Sequence, residues 1–136
     1  MNAMGMGEVK KVLFVCIRNT ARSIIAEAIF NSLAKKWKAE SAGIERAERI
    51  DEKVREILER KGLKAKEKPR TLENVNLEEY DLIVTVCEES CIILPTAKRV
   101  VSWNVEDPVG KGDEVYEKVF NSISENIKTL LKEIEG

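Results

Sequence analysis

The sequence predicts an α/β fold built on a parallel sheet with helices on both faces, and three observations carry that expectation. Short apolar runs rich in β-branched residues, "KKVLFVC" and "EEYDLIVTVC", read as strands buried on both sides. Segments with apolar residues at helical spacing alternate with them, so the strands are joined by crossovers and lie parallel. No repeat, low-complexity tract or linker interrupts the 136 residues, so a single domain is expected over 9–136 behind a loose tail at 1–8.

Taken in order, "KKVLFVC" is the first strand and "SIIAEAIFNSLAKKW" a helix beginning near Ser23. "KAESAG" is a short second strand ending at Gly43. "IDEKVREILERKG" repeats Val54, Ile57 and Leu58 before a terminating Gly62, which marks a second amphipathic helix. "KAKEKPRTLENVN" is a polar connection holding Pro69, followed by the third strand, "EEYDLIVTVC", and the fourth, "KRVVSW". Tyr116, Val119, Phe120, Ile123, Ile127, Leu130 and Ile134 then line one face of a final helix. Ligands of such sheets bind beyond the carboxyl ends of the strands, and Cys16 and Cys87 each close one, so both are expected to point at that crevice.

With 23 basic and 24 acidic side chains the formal net charge is −1, which argues against a nucleic-acid or anionic-membrane partner and makes any anion site local. No apolar run approaches the roughly 20 residues of a membrane span. The opening "MNAMGMGEVKK" lacks the apolar stretch of a signal peptide, so a cytoplasmic protein, taken as a monomer, is expected. Three cysteines are too few for a secreted disulfide scaffold. A charged fraction of 35% fits a heat-adapted organism. The chain has no histidine, which excludes His-based triads, Cys–His pairs and His metal sites together. Chemistry must come from cysteine, carboxylate, arginine and hydroxyl groups.

Those groups converge in "VLFVCIRNTARSIIAEAIF". A loop wrapped over a helix N-terminus aims backbone N–H groups at one point, where the helix dipole also favours negative charge. Residues Cys16, Ile17, Arg18, Asn19, Thr20, Ala21 and Arg22 would form such an oxyanion cradle. Arg22 supplies a planar fork for two oxygens, and Ser23 can hydrogen-bond the Cys16 sulfur. In that setting Cys16 is expected to be a thiolate nucleophile at neutral pH. A bare Cys-x5-Arg string more often marks a buried cysteine closing a strand; the strand before, the helix after and the serine beside the arginine favour the reactive reading.

This loop resembles the signature of the low-molecular-weight tyrosine phosphatase superfamily, which includes the thioredoxin-coupled arsenate reductases. The likeness extends through "SAGI", "YDLIVTVC" and "WNVEDPVGKG". It implies a three-layer, flavodoxin-like fold with a four-stranded parallel sheet. It also makes Asp107 of the Asp-Pro pair the general acid, ahead of Glu106, although Asp-Pro pairs also serve as plain turns. Asn19 and Ser41 match positions that brace the cradle, and Glu27 matches one linked to a structural potassium ion; no other cofactor is implied.

Phosphatases of this family tend to carry aromatic residues after Asp-Pro, where this chain has Val109 and Gly110. "VTVCEESCIILP" resembles the redox segment of the arsenate reductases. That resemblance implies a relay in which Cys16 attacks arsenate, Cys87 attacks the Cys16 sulfur, Cys91 takes over the bond, and thioredoxin reduces the Cys87–Cys91 disulfide. Residues four apart on a helix hold their Cβ atoms about 5–6 Å apart, so the pair requires some unwinding. Packing as two small buried hydrophobes is the alternative. A three-thiolate zinc site lacks a visible fourth ligand, and no metal is expected. Arg18 departs from the glycine common in the phosphatases, adding positive charge at the mouth or facing solvent.

The leading expectation is therefore an arsenate reductase with weak phosphatase activity, acting on a small oxyanion, arsenate or phosphate, with thioredoxin as external reductant. A low-molecular-weight phosphatase acting on a phosphorylated substrate through a phosphocysteine is the runner-up. A cysteine-phosphorylated carrier is a rival that would need neither Arg22 nor Asp107.

Overall fold

A computed structural model describes residues 9–88, 94, 96 and 98–136. Strand β1 (Lys10–Arg18) buries five consecutive residues, Val12 to Cys16, because neither of its faces meets water. It pairs on one side with β2 (Trp37–Glu45) and on the other with β3 (Leu82–Cys87), beside which β4 (Val100–Asn104) forms the edge. All pairs are parallel, in the order β2-β1-β3-β4. The sequence reading ended the first two strands at Cys16 and Gly43. They run on to Arg18 and Glu45, because the pairing continues past Cys16↔Gly43 to Arg18↔Glu45.

Helix α1 (Arg22–Leu33) follows β1, α2 (Glu52–Arg60) follows β2, and α3 (Asp113–Ile134) closes the chain. Gly62 sits at φ 76° just past α2, the left-handed turn expected of a terminating glycine. The larger apolar cluster joins Val12 and Phe14 to Ile25 and Phe30 of α1, Val54 and Leu58 of α2, and Ile123 and Ile127 of α3. Phe14 lies at its centre, edge-on to Phe30 at 5.8 Å and tilted against Trp103 at 5.7 Å. A smaller cluster gathers Leu13, Val15, Ala42, Tyr80 and Ile83, against which Leu72, Val75, Leu77 and Leu94 pack. Its helical cover, among the described residues, consists of two single 3-10 turns, Leu72–Asn74 and Leu77–Glu79.

Strand alternation decides where the cysteines start. Val12 and Phe14 belong to the larger cluster, so Cys16, two residues on, shares their face. Ile83 belongs to the smaller one, which puts Cys87 on the opposite face. The two sulfurs therefore leave the same edge of the sheet from opposite sides.

Candidate active site

Residues 16–22 carry the chain from β1 directly into α1. The helix N-cap, Ala21, offers no side-chain acceptor, and the first turn holds no acidic residue, so no side chain of the helix competes for its leading N–H groups. The loop lies against Gly43 of β2 so closely that a Cβ there would strike the backbone of Arg18 and Asn19. This accounts for the glycine of "SAGI".

Cys16 is 1% exposed. Its sulfur lies 2.8 Å from the Ser23 hydroxyl and donates to the Arg18 carbonyl at 2.6 Å. Burial pushes the thiol up from its ordinary value, against the pull of the Ser23 hydroxyl, the Ser23 and Thr20 backbone N–H groups and the Arg22 charge. Burial thus opposes the thiolate expected from the loop sequence, whereas the Ser23 hydroxyl, the loop N–H groups and the Arg22 charge favour it.

The Arg22 side chain is buried, 7% exposed, and donates to the Val105 carbonyl at 2.8 Å. Its other terminal nitrogen lies 3.9 Å from Asp107 Oδ2. The Asp107 carboxylate is 47% exposed, and its Oδ1 accepts the Val109 N–H at 3.1 Å, folding the Asp-Pro turn over the loop. Glu106 instead pairs with Lys111 at 2.8 Å. Arg18 is exposed, 3.4 Å from Glu45 at the rim.

Together these groups line a cavity of about 250 Å³ formed by Cys16, Ile17, Arg18, Thr20, Ala21, Arg22, Asp107 and Val109. That is below the roughly 300–1,000 Å³ of pockets for drug-sized ligands. No aromatic ring is among its described lining residues.

Of the seven loop residues, Asn19 alone is absent from the lining. It is buried behind the loop, where Nδ2 donates to Ser23 Oγ at 2.8 Å and Oδ1 accepts from Lys66 Nζ and the Arg70 N–H, both at 3.0 Å. Lys66 also donates to the Ser41 carbonyl at 2.9 Å, and Ser41 Oγ donates to Glu27 at 2.5 Å. Sequence reading missed Lys66 and Arg70, which lie in the polar connection "KAKEKPR" and look like any solvated basic run. The available signal was Pro69, which stiffens that connection as Arg70 O accepts the Gly43 N–H at 2.8 Å.

Cys16 is a free thiol, whereas Cys87, 2% exposed at the end of β3, is disulfide-bonded. Cys87 is not among the described lining residues of the Cys16 cavity, contrary to the expectation that both sulfurs face one crevice. Cys91 lies outside the described residues.

Residues 11–136 match the family model of the low molecular weight phosphotyrosine protein phosphatases. The crystal structure of arsenate reductase from Archaeoglobus fulgidus is 60% identical and superposes with a TM-score of 0.87, covering 89% of this chain and 98% of that one. A glutaredoxin arsenate reductase of Synechocystis sp. is 31% identical over 92% of this chain and 98% of its own length. A low molecular weight protein tyrosine phosphatase from T. tengcongensis is 29% identical with a TM-score of 0.81, covering 92% of this chain and 99% of that one.

Proposed function

The chain belongs to the low molecular weight phosphotyrosine protein phosphatase family, and we propose that within it this enzyme reduces arsenate in the cytoplasm, using Cys16, Cys87 and Cys91 as a relay. The observation that carries this reading over simple ester hydrolysis is the sulfur chemistry: Cys16 is free while Cys87 is disulfide-bonded. That is the distribution a three-cysteine relay reaches after its last internal transfer.

In the first step dihydrogen arsenate enters the cradle, held by loop N–H groups and the Arg22 fork. As the sulfur attacks arsenic, the Cys16 proton passes by way of a substrate oxygen to Asp107. A sulfur–arsenic bond forms, one arsenic–oxygen bond breaks, and the departing hydroxide takes a proton from Asp107 to leave as water, Asp107 being recharged by the proton Cys16 gave up. In the second step the Cys87 sulfur attacks Cys16. The disulfide forms as the sulfur–arsenic electron pair passes to arsenic, which leaves as arsenite with the Cys87 proton. Cys91 then displaces Cys16, restoring its thiol. An external dithiol of the thioredoxin class reduces the Cys87–Cys91 bond. Because Cys16 and Cys87 begin on opposite faces of the sheet, the second step requires the two sulfurs to meet beyond the carboxyl ends of β1 and β3.

The test measures arsenate reduction with thioredoxin, and separately with glutaredoxin, beside aryl phosphate hydrolysis. Cys16→Ser should lose both reactions, and Asp107→Asn should slow both by about 10². Cys87→Ser and Cys91→Ser should lose reduction alone. Sustained arsenate turnover by either of the last two would overturn the relay. Efficient ester hydrolysis without any arsenate reduction in the wild type would establish the phosphatase reading instead.

A further inference from the structure

The family resemblance allows a structural potassium ion through Glu27, and the residues behind the loop do not fit one. The oxygens such an ion would need are already gathered around an ammonium. Lys66 Nζ donates to Asn19 Oδ1 at 3.0 Å, to the Ser41 carbonyl at 2.9 Å and to Ser41 Oγ at 3.2 Å, with Glu27 Oε1 at 3.8 Å. These use all three of its donors. The Lys66 and Glu27 side chains are only 20% and 19% exposed, so a second cation among the same oxygens would face the ammonium with little water between. Among the described residues no cluster of three or more acidic or cysteine side chains offers a metal another place.

We propose that Lys66 is the chain's own tethered monovalent cation, taking the place of a potassium ion and acting as a positioning residue for Cys16. Its effect runs through two hydrogen bonds. Lys66 and the Arg70 N–H both need an acceptor, which commits Asn19 Oδ1 to them and turns Nδ2 toward Ser23. Ser23 Oγ, receiving that N–H, has its own hydrogen to direct at the Cys16 sulfur 2.8 Å away. The donor that stabilises a developing thiolate is thus oriented from the far side of the loop. Burial pushes the Lys66 ammonium down from its ordinary value, and the Glu27 carboxylate pulls it back, consistent with a charge held by its neighbours.

This assignment rests on the proposed role of Cys16, but its test does not need turnover. Thermal midpoint and the site-resolved rate of Cys16 alkylation are measured in sodium, potassium and ammonium chloride at equal ionic strength, with aryl phosphate hydrolysis alongside. Wild type should respond identically to all three salts. Lys66→Ala should alkylate and hydrolyse about tenfold more slowly in sodium, the loss expected for a charge-assisted hydrogen bond. Potassium or ammonium should restore most of that loss and raise its midpoint. Lys66→Met, which fills the space without the charge, should be slow in every salt. A wild type stabilised or accelerated by potassium overturns the assignment, as does a Lys66→Met enzyme as fast as wild type or a Lys66→Ala enzyme indifferent to the cation. Cation rescue of midpoint and alkylation in a chain that turns over neither arsenate nor phosphate esters supports the Lys66 assignment while removing the proposed function.

Discussion

Helices α1 and α2 begin with the same macrodipole and treat it in opposite ways. At α2 the chain supplies its own anion: the Asp51 carboxylate accepts the Lys53 N–H at 3.2 Å, and Glu52 adds charge in the first turn. At α1 the cap position is alanine, the first turn is free of acid, and a buried arginine opens the helix. Leaving such an end uncapped costs about 1 kcal/mol. An unfilled helix start next to a buried guanidinium leaves room for an anion from outside the chain, whereas a filled one is a structural joint. The joint also serves the site, since the Asp51 N–H donates to the Thr20 carbonyl at 3.1 Å and the Tyr116 hydroxyl donates to the Asp51 carboxylate.

The sharpest way to break this contrast is Arg22→Lys, which keeps the charge but loses the planar fork. Aryl phosphate hydrolysis should fall by about 10² to 10³, read in kcat. Giving α1 the solution used by α2, through Ala21→Asp, should put a competing carboxylate in the cradle. Phosphate affinity, measured by calorimetry, should drop at least about tenfold, because the opposing charge cancels one charge-assisted contact. Ser23→Ala should slow hydrolysis by about tenfold. Because the Ser23 hydroxyl lowers the Cys16 pKa, its removal raises that pKa, so the pH profile of alkylation should move to higher pH. Asp51→Ala tests the joint rather than the site: urea unfolding should show a loss of about 2–4 kcal/mol, from the helix cap together with the acceptor of the buried Tyr116 hydroxyl. Its kcat should stay within a few-fold of wild type, since the Asp51 N–H that reaches Thr20 belongs to the backbone.

A second contrast separates what the sequence made legible from what it hid. Alternation of β-branched strands and amphipathic helices predicts an α/β parallel sheet, and the described strands and helices follow the expected order. The strand ends were off by two residues at β1 and β2, because pairing with a neighbour, rather than local pattern, decides where a strand stops. In the site, Cys16, Arg22 and Ser23 were readable because they lie within one loop and one helical turn. Asp107 was readable only through family resemblance, and the fold brings it to 3.9 Å from Arg22. Lys66 and Arg70 carried no local signature at all, since a lysine in a polar stretch looks the same whether it meets water or an Asn19 oxygen. The burial that opposes ionisation of Cys16 was hidden for the same reason: it comes from elements packed around the sulfur, which the loop sequence does not contain.

Local pattern alone dictates the strand, loop and helix that put Cys16, Arg22 and Ser23 at one helix start, because hydrophobic period and short-range spacing are properties of neighbouring residues. The burial of Cys16, the departure of Cys87 from the opposite face of the sheet and the lysine from a distant connection behind the loop come from the folded arrangement. Burial, sheet register and the meeting of remote charges depend on how segments cross in space, and that is set by packing of the whole core.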